Sequence, residues 1–163
     1  MSATGLAVFD KTIHETNGYV KIVMRELETG DRGMAFGALR GALHALRDIL
    51  DIQTCAHLSA QLPMLVRGLF FEGWTPHAVP AHARRLEEFL ERVSQHLPPQ
   101  LQGNPEEAAR AVFAALRERL ERGELEKVID RMPKALHGVW PMAPGLAVQT
   151  PHIATSSTPG TGQ

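Results

Sequence analysis

Apolar residues recur near the start of the chain at spacings of three, four and seven: Phe9, Ile13, Val20, Met24 and Leu27. One stripe of this kind predicts an amphipathic helix over about residues 9–28, with Asp10 as its N-cap. Gly18 interrupts it at a cost of about 1 kcal/mol relative to Ala, and reads as a tolerated defect rather than as the mark of a close neighbour. Asp31 opens a second helix over residues 32–50, with Leu39, Leu43, Leu46 and Leu50 on one face and Ala35, Ala38, Ala42 and Ala45 widening it. Small residues flanking the leucines predict a central helix packed closely on two sides. A third helix is predicted over residues 52–61. Pro63 is read as the first-turn proline of a fourth, which ends at Gly73.

Two prolines in residues 73–83 mark a linker. A helix over about 83–97 follows, carrying Leu86, Phe89, Leu90, Val93 and Leu97, and then a break at Pro98, Pro99 and Gly103. Asn104-Pro105-Glu106-Glu107 has the order of a helix start: a capping residue, a proline at the first helical position and a Glu three residues after the cap. That helix runs to about residue 121. Gly123 separates it from a short one near 124–131, Pro133 opens the last, and Pro141 ends it. From Pro141 onward there are four prolines and no charged residue, a composition that predicts a disordered tail because too little apolar surface is available to offset ordering.

Residues 38–69 and 108–139 align at an offset of 70 without a gap. Eight pairs are identical: Ala38/Ala108, Arg40/Arg110, Ala45/Ala115, Leu46/Leu116, Arg47/Arg117, Leu50/Leu120, Pro63/Pro133 and Gly68/Gly138. Other pairs, such as Leu43/Phe113, Cys55/Leu125 and Leu58/Val128, stay apolar. An internal repeat sets the architecture. The predicted fold class is all-α: two tandem four-helix units, 9–73 and 83–141, packed as one helical domain about an approximate twofold axis, followed by a disordered tail over 142–163.

With 17 basic and 18 acidic residues the net charge is −1, without the basic excess of a nucleic-acid binder. No apolar stretch reaches the length of a membrane span, and no secretory signal is seen at the start. The lone Cys55 cannot form an intrachain disulfide and falls in a core pattern. Together these predict a cytoplasmic protein with neither a nucleic-acid nor a membrane partner.

Several stretches carry a family resemblance: "FDKTIHETN", "ALRGALHALRD", "AQLPMLVRGLFFEGW", "EEFLERV", "EEAARAVFAALRERL" and "MPKALHGVWP". Across residues 9–141 the chain resembles the bacterial family known as domain of unknown function 2267. The resemblance implies an all-α fold of two helical units and implies no activity. The chain departs from the family pattern at Gly18, where a larger residue is usual, and in the linker "TPHAVPAHARR".

No catalytic residue, metal ligand or cofactor is predicted. There is no nucleophile elbow, P-loop, H-E-x-x-H or CxxC. His77 and His82 bracket a proline in the linker and could share a metal, but without a carboxylate or thiol beside them they make only a weak site. Arg40, His44 and Arg47 share one helix face as a candidate polar stripe, with an anion-binding reading and a structural one. The structural reading is preferred, because Arg40 and Arg47 recur as Arg110 and Arg117 while His44 becomes Ala114. Arg47/Asp51 and Arg117/Glu121 recur in an order unfavourable within a helix, which points to a cap or bridge to the next helix.

Phe70 and Trp140 are read as core. Phe71 and Trp74 lack equivalents in the second unit. Ile52, Ala56 and Ala60 correspond to the charged Arg122, Glu126 and Asp130, and Ile49 and Met64 to Arg119 and Lys134. The candidate interaction surface is therefore Ile49, Ile52, Ala56, Ala60, Met64, Phe71 and Trp74. The function expected is that of a non-catalytic interaction or scaffolding protein with a protein partner or a homo-oligomeric contact. The alternative is a small-ligand or metal-binding protein using the groove between the two units.

Overall fold

A computed structural model describes residues 2–78 and 80–142. The described residues are all-helical, with no strand. The α-helices are α1 (Ala7–Glu26), α2 (Arg32–Ile49), α3 (Ile52–Ala60), α4 (Met64–Phe71), α5 (Leu86–His96), α6 (Pro105–Arg119) and α7 (Arg122–Arg131), and 3-10 segments occur at Pro76–Ala78, Pro99–Leu101 and Lys134–Val139. All but the first residue of the tail expected to be disordered lies outside the described residues.

Helix α2 is the centre, packed against α1, α4, α5 and α6. Its leucines and alanines are buried on nearly every side. Asp31 caps it as expected, accepting the Met34 N–H at 3.0 Å. At Gly41 a Cβ would lie 2.6 Å from the His96 carbonyl oxygen, so the missing side chain lets the end of α5 meet α2. Positions 70 residues apart share burial: Ala38/Ala108, Leu43/Phe113, Leu46/Leu116, Cys55/Leu125, Leu58/Val128, Val66/Leu136 and Phe70/Trp140 are all inside. Trp140 stacks on Phe113 with centroids 4.0 Å apart, and its indole N–H points at the Met132 sulfur, 3.1 Å away.

Helix α1 differs from its prediction at both ends. It begins at Ala7 after Leu6, so Asp10 is not its N-cap. Asp10 lies in the first turn, where its carboxylate accepts hydrogen bonds from Ser2 and from the backbone and hydroxyl of Thr4. At the other end Glu28 adopts φ +51°, the left-handed position usually held by glycine. The Glu28 and Thr29 N–H groups bond Arg25 and Met24 carbonyls, closing the helix. Gly18 marks a close neighbour after all: a Cβ there would sit 2.0 Å from Arg119 Nη2.

The paired Arg/acid positions resolve as caps. Asp51 accepts the Thr54 N–H at 2.9 Å at the start of α3, and Glu121 accepts the Gly123 and Glu124 N–H groups at the start of α7. Gly123, predicted as a break, therefore sits inside the first turn of α7. Asn104 precedes α6 but makes no side-chain cap. Pro63 is the N-cap of α4 rather than its first helical residue. The last segment, predicted as a helix, is 3-10. Pro141 follows it at once and has no N–H to continue an α-helical ladder.

Candidate interaction groove

Pro63 offers no side-chain acceptor to the start of α4. Thr12 of α1 supplies one instead, its hydroxyl accepting the Leu65 N–H at 2.8 Å. This bond pins the N-terminal half of α1 beside α4 and builds a groove of about 650 Å³ between them and Phe36 of α2. Phe9, Ile13, Phe36, Met64 and Leu65 line it, each 41–55% exposed. Large apolar side chains left open in one contiguous patch make it a candidate interaction site. Gly68 forms part of the floor, and a Cβ there would meet nothing within 4 Å. Among the described residues the one charged group in the lining, Glu72, is held by Arg40 at 2.6 Å.

A family model described as an uncharacterized conserved protein (DUF2267) matches residues 16–139, most of the chain. The chain belongs to the DUF2267 family. No curated protein matches it. The DUF2267 match begins within α1, so Phe9, Thr12 and Ile13 precede the matched range while Phe36, Met64 and Leu65 fall inside it.

The polar stripe of this DUF2267 chain reaches the other end of α4. Arg47 is 4% exposed and donates from Nη1 to the carbonyls of Phe70 at 3.0 Å and Glu72 at 2.7 Å. His44 donates from Nε2 to the Leu69 carbonyl at 2.8 Å. Arg40 takes the Glu72 side chain. All three thus tie α2 to the last turn of α4. Burial holds His44 below the ordinary imidazole pKa, outweighing its hydrogen bond to Leu69, and Arg47, Arg40 and His96 add to the depression. Asp48 is pulled upward by burial, but hydrogen bonds from His96 and Arg47 outweigh this and leave its carboxyl below the usual range. Cys55 is buried, its thiol pushed up to about 12 by burial and donating to the Arg47 carbonyl at 3.3 Å.

Of the candidate interaction surface, Ile52, Ala56 and Ala60 are exposed on α3, and Met64 lines the groove. Ile49 is buried, because the end of α2 turns it into the core. Phe71 and Trp74 are half-buried against the core, their rings 5.1 Å apart. Phe9, Ile13, Phe36 and Leu65 were not singled out from sequence as surface residues. For Leu65 a signal was present in the adjacent Met64-Leu65-Val66, which cannot all face one core from a single helix.

A second cleft, about 370 Å³, opens between α3 and α7. It holds His57, Lys127, Asp130 and Arg131, charges of both signs. Glu124 lies 2.6 Å from His57 Nε2 and 3.1 Å from Lys127 Nζ. His77 and His82 are exposed in the linker. Among the described residues no three His, Cys, Asp or Glu side chains cluster as a metal site, and no helix is long and apolar enough to cross a membrane.

Proposed function

We propose that this DUF2267 chain is a non-catalytic interaction protein that receives an apolar protein segment in the α1–α2–α4 groove. One observation carries the reading: five large apolar side chains from three helices stay open to solvent around a single groove whose only charged lining group among the described residues is already paired. An amphipathic helix binds such a groove by laying its apolar face along it. The matched burial pattern at an offset of 70 supports a duplicated unit. The groove falls on the first unit, where α4 is a full helix. At the corresponding place in the second unit the segment is 3-10.

A photo-reactive residue at Phe36 or Met64, expressed in the native organism, tests this. Protein adducts are expected at both positions and not at an exposed control position on α5 such as Glu91. Adduct levels no higher than the control, or adducts to lipid alone, would overturn the reading.

A further inference from the structure

We infer that the segment received by the groove is a second copy of this chain, its α1 N-terminal half packing into the partner's groove about a twofold axis while its own groove receives the partner's α1. This rests on the interaction reading above and names the partner for the same site.

A twofold contact puts the same patch on both sides. The patch must then hold both a receptor and something to insert. The lip of the groove is itself such a ligand. Phe9 and Ile13 stand at i and i+4 on α1, with the N-cap residue Leu6 just before the helix, and the three are 47%, 42% and 51% exposed; apolar residues spaced this way are how an amphipathic helix anchors in an apolar groove. The same face continues, across the buried Thr16, to Val20, which is 5% exposed. Helix α1 therefore buries one half of a single apolar face and leaves the other half bare, although a helical stripe of this kind is stable only when covered.

Area and charge agree with this occupant. Phe9 and Phe36 at nearly half exposure leave about 80 Å² each, from the ~150–250 Å² a fully buried aromatic covers, and the whole lining leaves on the order of 400 Å². A stable interface buries about 800 Å² per partner, of which about 56–65% is apolar, so these five side chains, their groove and outer faces together, supply most of the apolar share. The net charge of −1 puts little repulsion between two copies. Glu72 is neutralised by Arg40, whereas Asp10, which accepts hydrogen bonds from Ser2 and Thr4, keeps its negative charge at the edge of the patch. Within the groove lining the paired Glu72 offers no free charge to select a partner of opposite sign, and shape and apolar area are what remain to be matched there.

Sedimentation equilibrium of the full chain between 1 and 100 µM tests the inference. The wild type is expected to show twice the chain mass at the upper concentrations. Phe9→Glu with Ile13→Glu should weaken dimerisation at least 100-fold. Gly68→Gln adds a side chain only to the open groove floor, favours the helix and leaves the core untouched, so it should also weaken dimerisation while the far-ultraviolet dichroism stays unchanged. A wild type that is monomeric at 100 µM overturns the inference, as does a folded Gly68→Gln variant that dimerises as tightly as the wild type. The two readings separate cleanly: protein adducts at Phe36 from a monomeric wild type leave the interaction reading standing and remove this one, whereas no adducts remove both.

Discussion

Arg47 and Arg117 occupy corresponding positions, yet their surroundings call for very different costs on substitution. Arg47 is 4% exposed and makes three hydrogen bonds, to Asp48 at 2.9 Å and to the Phe70 and Glu72 carbonyls at 3.0 and 2.7 Å. Arg47→Met keeps much of the stem and removes every donor. Each bond to a charged group contributes about 1.5–3 kcal/mol, but the three share one guanidinium and do not add. Breaking a buried ion pair from one side costs about 3–5 kcal/mol, and the variant is expected to lose that much. Arg117 reaches only Glu126, whose side chain is 43% exposed, and its Nε is buried with no partner. In Arg117→Met the freed carboxylate returns to water, so the loss should be about 1 kcal/mol or less. Urea unfolding followed by the fluorescence of Trp74 and Trp140 reads both variants against a total stability of about 5–15 kcal/mol. Arg47→Lys, retaining one or two donors, should fall between. Equal losses at the two positions, or a loss under about 1.5 kcal/mol for Arg47→Met, would refute the assignment of Arg47 to the end of α4.

Gly18→Ala should be neutral to slightly stabilising by melting temperature, because the clashing atom is the free end of exposed Arg119 and the helix gains up to about 1 kcal/mol. Gly41→Ala meets the His96 backbone instead and should cost about 1–3 kcal/mol. Because the His44 pKa is depressed on folding, the unfolded chain takes up its proton first. Its contribution is present above the ordinary imidazole value of about 6.5 and is lost as pH falls toward the depressed folded value. Unfolding free energies measured from pH 7.5 to 5 should therefore decline, and His44→Gln should flatten that limb. Thr12→Val removes the acceptor for the Leu65 N–H and should cost about 1 kcal/mol in urea titrations, in the manner of a lost helix cap. Cys55 should resist iodoacetamide at pH 8 in the native protein and react once urea unfolds it, since burial keeps its thiol protonated.

Periodicity locates helices because it reports which face is apolar. Leu39, Leu43 and Leu46 were legible for that reason. Periodicity does not report what covers a face. Phe9, Ile13 and Val20 form one stripe in the sequence, but only Val20 is covered, since the neighbours of α1 diverge where the groove opens. Ile49 failed in the opposite sense. Its charged counterpart Arg119 suggested a surface, but Ile49 is inside and Arg119 lies across Gly18, so equivalent positions need not have equivalent surroundings. The paired acids Asp51 and Glu121 were recognisable as belonging to the next helix because their order made no sense within their own. The partners of Arg47 were beyond reach, being carbonyls 23 and 25 residues away with no side-chain signature.

Helix α4 has eight residues, below the about 12–15 at which an isolated helix holds together in water. Its first turn is held by Thr12 and its last by His44 and Arg47, so both ends are fastened by segments earlier in the chain. Its persistence therefore depends on α1 and α2 being docked, and it is suited to come loose before they separate. Amide exchange should then show Leu65 to Phe70 opening together, ahead of the central helix, as one cooperative unit. Any sequence change that loosened either fastening would raise the rate at which the groove dissolves without touching a residue that lines it. Control over whether this surface exists at all is thus lodged in the interior.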